Sequence, residues 1–227
     1  MTSSPTREPA SAQIEQTVLI PIEDAELQGQ LNVPARAHGL VIFAHGTGSS
    51  RHSPRNKYVA KFLQQHAFGT LLLDLLTAQE EETESAAGEM RFNIELLSGR
   101  LASAAAWVRQ NRYTSILPAG YFGASTGSAA ALVAAARAPE NVRAVVSRGG
   151  RPDLAASYLS RVRAPTLLIV GGADTAVIRM NEHAMEHLAA TKKLEIVPGA
   201  AHLFEEPGAL EKVAALAAEW FTRHLST

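Results

Sequence analysis

Ala119-Gly120-Tyr121-Phe122-Gly123-Ala124-Ser125-Thr126-Gly127-Ser128-Ala129-Ala130 is the stretch whose reading decides the fold. Its first part is an apolar run that reads as a short buried strand. The Ala-rich segment from Ser128 to Ala138 reads as a helix, and Gly-x-Ser-x-Gly lies between the two. In a strand–turn–helix setting this pentapeptide forms a very tight turn that lifts the serine hydroxyl above the sheet. The serine is held in a strained backbone conformation. Gly123 and Gly127, with Ala129 and Ala130, remove side chains that would block the close approach of strand and helix. Ser125 is therefore the candidate nucleophile, against the plainer reading of a structural turn.

A base and an acid follow downstream. Ala164 to Gly172 reads as a buried strand ending in glycines, with Ala173-Asp174 at its end. Lys193 to Gly199 reads as a further strand, followed by Ala200-Ala201-His202. Asp174 comes 49 residues after Ser125, and His202 comes 28 after Asp174. Each candidate lies just past a strand end, where open α/β sheets build their sites. A serine hydroxyl is a poor nucleophile until a base takes its proton. His202 is the candidate base and Asp174 the carboxylate that orients it. An Asp after Gly-Gly also suits a helix cap, and Asp153 is the less favoured substitute. His38, His52, His66 and His224 read as solvated, whereas His45 reads as a brace for the turn that follows it.

The rest of the chain alternates. Thr17–Ile22 and Leu27–Val33 read as an antiparallel hairpin. Gly39–Ala44 and Thr70–Asp74 read as strands, separated by a helix that Ser53-Pro54 opens. Ala78–Arg91, acidic and glycine-containing, reads as a long loop, with Glu80 to Glu84 hydrated. A helix over Phe92–Asn111 precedes the serine turn. Beyond it come a strand over Val142–Ser147, a short helix after Pro152-Asp153, a helix over Val177–Ala190 and a closing helix over Pro207–Leu225. Strands alternating with helices predict an α/β fold with a mostly parallel sheet and helices on both faces. The segment from Ser147 to Ala164 is too short for a cap domain. Met1 to Gln16 is expected to be a flexible polar lead, and 17–227 a single domain.

Composition narrows the function classes. A net charge of −1 gives no electrostatic case for nucleic acid or a membrane surface. No stretch approaches the roughly 20 apolar residues needed to cross a bilayer, and Met1 to Gln16 lacks the apolar core of a secretion signal. With zero cysteines there is no disulfide framework and no thiolate metal site, which fits a reducing cytoplasm. The expectation is a cytoplasmic protein, monomeric or a small homo-oligomer.

His45-Gly46-Thr47-Gly48-Ser49-Ser50, the serine turn, Gly171-Gly172-Ala173-Asp174 and Gly199-Ala200-Ala201-His202 together resemble the α/β-hydrolase superfamily. The branch most similar is that of the small, capless dienelactone-hydrolase-like enzymes, and the likeness spans about residues 17–225. Nucleophile, acid, histidine is this fold's chain order. Dienelactone hydrolases proper use a cysteine nucleophile, so a serine here points to ordinary ester chemistry. The resemblance implies a serine esterase or lactonase acting on a small molecule through an acyl-enzyme, without cofactor. It also implies an oxyanion hole made by the backbone N–H groups of Thr126 and Thr47, or of Gly46 one residue earlier. A peptidase, thioesterase or acyltransferase uses the same machinery, and a non-catalytic binding protein on the same fold is the alternative from another class. Dienelactone hydrolases use arginines for acidic substrates. Arg91 and Arg148 are the candidates here for orienting an anionic acyl group, against surface solvation or structural ion pairs.

One motif falls outside this scheme. His183-Ala184-Met185-Glu186-His187 matches an inverted zinc-protease pattern. With no third ligand in view it reads as a solvated helix face, and no metal is expected.

Overall fold

The computed structural model describes residues 13–23, 25–84 and 88–225. β1 (Ile14–Ile22) and β2 (Ala25–Val33) form the expected antiparallel hairpin. β1 starts three residues before Thr17, so the end of the expected lead is strand, and residues 1–12 lie outside the described part. The next five strands are β3 (Gly39–Ala44), β4 (Phe68–Leu73), β5 (Ala119–Ala124), β6 (Ala144–Arg148) and β7 (Thr166–Gly171). All five are buried along their whole length, as parallel strands covered on both faces must be. β8 (Lys192–Val197) closes one edge, with Lys192 and Lys193 exposed, charges that discourage pairing with another chain.

The strand order is β1-β2-β4-β3-β5-β6-β7-β8; β1–β2 and β2–β4 are antiparallel and every other pair is parallel. The chain steps from β3 outward to β4, then returns to place β5 on the other side of β3. That reversal opens a crevice at the strands' C-terminal ends, where sheets of this kind bind ligands.

Helices cover both faces. α1 (Pro54–Gln65) and α6 (Ala209–Leu225) pack over Phe43, Phe68, Phe122 and Val146. α3 (Ile94–Gln110) and α4 (Thr126–Arg137) cover the other face over Ile42, Leu73, Tyr121 and Val145. Burying this much aliphatic and aromatic surface, at about 25 cal/mol per Å², is the main drive for folding. α5 (Thr175–His187) flanks β7 and β8. Between β6 and β7 there is only a 3₁₀ segment, Pro152–Arg161, and no cap domain.

The stretch Ala78–Arg91 departs from expectation. It holds a helix, α2 (Ala78–Glu84), and a 3₁₀ turn over Met90–Phe92. The cause is a capping box at Thr77-Ala78-Gln79-Glu80. The Glu80 N–H donates to Thr77 Oγ1 at 3.2 Å, and the Thr77 N–H donates to Glu80 Oε2 at 2.8 Å. Glu80 and Glu81 are not simply hydrated either. Arg100, itself buried, grips Glu80 through both terminal nitrogens, and Arg91 pairs with Glu81 at 2.6 Å. The Arg100 guanidinium holds the Glu80 carboxyl below the usual range.

Candidate active site

Ser125 caps the start of α4 with φ 51° and ψ −121°, a conformation L residues rarely adopt. Sterics around the turn enforce it. A Cβ on Gly123 would come within 2.5 Å of the Ser128 backbone, and one on Gly127 would collide with the Ala44 carbonyl. Three backbone hydrogen bonds hold the strained residue. Its N–H donates to the Arg148 carbonyl, and its own carbonyl accepts from the N–H groups of Ser128 and Arg151.

Asp174 and His202 meet. The His202 ring lies 2.7 Å from Asp174 through Nδ1 and Oδ2. The carboxylate can only accept, so the proton sits on Nδ1 and Nε2 keeps its lone pair. Asp174 Oδ1 accepts from the Val177 N–H at 3.4 Å. Cap and imidazole partner, alternatives in the sequence, are both served by one carboxylate. The close approach of the two loops depends on Gly171, where a Cβ would strike the Ala200 carbonyl. Gly149 takes φ 52°, and a Cβ there would come within 3.2 Å of the His202 carbonyl oxygen. Asp153 is engaged elsewhere, in a bidentate pair with Arg151.

The two threonines also meet. The Thr47 N–H donates to Thr126 Oγ1 at 2.9 Å, and the two hydroxyl oxygens lie 2.9 Å apart. Thr126 is at the first turn of α4, where the helix has no partner for its own N–H groups. Gly46 packs against Ser125, with room for a Cβ only 3.0 Å from Ser125 Cβ. His45 braces the turn. Its Nε2 accepts from the Leu75 N–H at 3.1 Å, which leaves Nδ1 to donate to the Gly46 carbonyl at 3.0 Å. Burial holds its pKa below the ordinary value. Beside this turn lies a narrow crevice of about 10 Å³, lined by Gly46, Thr47 and Thr126 together with Leu75, Leu76 and Leu97.

The arginines diverge. The Arg91 guanidinium pairs with Glu81, while its carbonyl accepts from Thr47 Oγ1 at 3.3 Å. Arg148 is buried, on the α1 and α6 side of the sheet. His183, Glu186 and His187 lie together on an exposed face of α5.

Several positioning residues escape a reading of the sequence. Asp74 accepts from the Arg51 N–H at 2.6 Å and pairs with its guanidinium, pinning the segment between Gly46 and α1. Glu206 accepts from the Ala201 N–H at 3.1 Å, steadying the loop that carries His202. Asn181, fully buried, donates to the Gly150 carbonyl at 3.0 Å. Only Asn181 leaves a sequence signal, as a polar residue on the buried stripe Val177, Asn181, Ala184.

With this geometry, similarity to known proteins becomes informative. The family described as alpha/beta hydrolase fold matches residues 39–164. A dienelactone hydrolase from Anabaena variabilis is 57% identical, with a TM-score of 0.92 over 94% of this chain and 99% of that one. Est1E from Butyrivibrio proteoclasticus shares the fold alone, at 14% identity and a TM-score of 0.77 over 91% of this chain and 98% of that one. A Mycobacterium tuberculosis protein named provisionally as a phosphoribosyl transferase is 53% identical over 214 residues. That match takes in 90% of this chain but 47% of the relative, so the chain spans about half of that relative's length. The family match over more than half of the chain, and a relative of 57% identity over nearly all of it, lead to one assignment: the chain belongs to the alpha/beta hydrolase family, in its dienelactone-hydrolase-like branch.

Proposed function

We propose that the chain is a serine hydrolase that cleaves carboxylic esters or lactones through an acyl-enzyme. The observation that carries this reading is the 2.7 Å contact between Asp174 and His202 beside a serine held at φ 51°. In the first step His202 Nε2 takes the Ser125 proton as Oγ attacks the ester carbonyl. Asp174 holds the tautomer and stabilises the imidazolium. The imidazolium then protonates the leaving alcohol. Water, deprotonated by the same nitrogen, attacks the acyl-enzyme and releases the acid. Ser125 and His202 share no hydrogen bond in this conformation, and such contacts often tighten only with substrate bound. Thr126 and Thr47 supply the oxyanion N–H groups in this reading, with Thr47 first giving up the Thr126 hydroxyl.

The reaction needs no cofactor, and we read 13–225 as one domain of a cytoplasmic protein, a monomer or small homo-oligomer. The transferase activity named for the M. tuberculosis relative is not carried over, since over half of that protein lies outside the match and this chain itself matches the alpha/beta hydrolase family.

The test is hydrolysis of p-nitrophenyl esters from acetate to decanoate by the wild type and by Ser125→Ala. Turnover by the wild type that vanishes in the variant is expected. Turnover that survives in the variant would overturn the serine mechanism.

A further inference from the structure

α5 carries a cluster that the active site does not use. His183, Glu186 and His187 stand on its exposed face, and one ligand atom from each lies within 4.8 Å of the other two. Spacings of three and four residues put all three on one side of the helix. The sequence shows no third ligand for the two histidines; the structure supplies Glu186. Its Oε2 lies 3.6 Å from His183 Nδ1. That is too far for a hydrogen bond, but close to the separation of two ligands on one tetrahedral zinc ion, about 3.4 Å.

The imidazoles are set for the same task. Their rings lie 4.5 Å apart, centroid to centroid. His187 Nδ1 is 2.9 Å from the His183 carbonyl. A carbonyl can only accept, so the proton sits on Nδ1 and Nε2 keeps its lone pair. One ring nitrogen donating to a backbone carbonyl, with the other free to ligate, is the usual state of a metal-bound histidine. The cluster also occupies the last five residues of α5. There the helix dipole presents its negative end, which favours a cation, and Glu186 adds a full negative charge.

The donor set selects the ion. Two imidazoles and a carboxylate suit zinc, copper(II) and nickel(II), whereas calcium and magnesium call for oxygen ligands. We propose that His183, Glu186 and His187 bind one divalent transition-metal ion at the C-terminal end of α5. The ion clips the last turn of the helix and stabilises the folded chain by mass action. The site is separate from the Asp174–His202 pair. Asp174 caps the opposite end of the same helix, nine residues and about 14 Å from His183. The proposal does not rest on the serine-hydrolase reading.

The test is calorimetric titration of zinc chloride into the full chain after dialysis against a chelator. His183→Gln, His187→Gln, Glu186→Gln and His202→Gln are titrated beside the wild type. One zinc per chain is expected. Losing even an outer partner of a metal site costs about 10- to 100-fold in affinity. Each variant at His183 or His187 should therefore weaken binding by about 100-fold, and Glu186→Gln by about tenfold. His202→Gln should bind zinc as the wild type does, and excess magnesium or calcium should not displace the ion. Zinc at about ten times the titration midpoint should raise Tm by about 3 °C or more. That gain should disappear when His183→Gln and His187→Gln are combined. Since all three ligands are exposed, these variants keep the fold, and melting without zinc checks that they do. Zinc uptake lost in His202→Gln but kept in His183→Gln would place the ion at the active site and overturn the proposal. Equal uptake by the wild type and both histidine variants of α5, or no uptake by the wild type, would overturn it as well.

Discussion

The Thr47 N–H, the group expected to receive a developing oxyanion, donates at 2.9 Å to the hydroxyl of Thr126, a residue 79 positions away. Both threonines flank Ser125 across the β3–β5 crevice. In the serine-hydrolase reading the Thr126 hydroxyl occupies Thr47's donor until substrate arrives, so part of the oxyanion's gain is spent on displacing it.

Thr126→Ala removes that competitor. A net hydrogen bond is worth about 1 kcal/mol, so kcat for p-nitrophenyl acetate should rise, by up to about fivefold. The same change removes a buried contact and should lower stability by about 1 kcal/mol. A fall in kcat of a hundredfold would mean that the hydroxyl is itself needed in the transition state.

Ser125→Gly separates function from strain. Turnover should drop below detection with the nucleophile gone. Positive φ is free for glycine, and strain at such a residue is of order 1–3 kcal/mol. The variant should therefore unfold at higher urea, by about 1 kcal/mol, unless lost contacts outweigh the relief. A midpoint below that of the wild type would place the balance on contacts.

The two oxygens of Asp174 can be tested apart. Asn keeps a good helix cap but presents an N–H to the ring and favours the wrong tautomer. Asp174→Asn should cut kcat by about 10⁴ with little change in stability. Asp174→Ala should lose the same activity and also about 1 kcal/mol from the start of α5. Equal denaturation midpoints for the two variants would show that the 3.4 Å cap bond contributes nothing.

His45 makes stability depend on pH. Burial holds its folded pKa below the ordinary 6.5, so the unfolded chain takes up a proton that the native protein refuses. The contribution is fully present above about pH 6.5 and is lost as pH falls from there towards the folded value, at up to about 1.4 kcal/mol per unit. Urea midpoints from pH 7.5 to 5.0 should show a steeper decline in the wild type than in His45→Gln. Parallel declines would remove His45 as the cause.

Much of this protein is legible residue by residue. The serine turn follows from sterics within five positions, because only glycine tolerates the backbone contacts at Gly123 and Gly127. Buried parallel strands betray themselves as continuous apolar runs, and their alternation with helices decides the fold class. The helix α2 is equally local: Thr77 and Glu80 spell a capping box at the start of the run of acidic residues.

Other features belong to the tertiary structure alone. Asp153 and Asp174 are both plausible partners for an imidazole in the sequence, yet one turns to Arg151 and the other to His202. Arg91 and Arg148 are equivalent as letters. One is paired with Glu81, and the other is buried beside Arg55 because its position in β6 directs it to the α1 face. Local conformation depends on sterics between near neighbours, which the sequence states directly. Which distant groups meet depends on the order of strands in the sheet and on the face each side chain takes, and these are set only when the whole core packs.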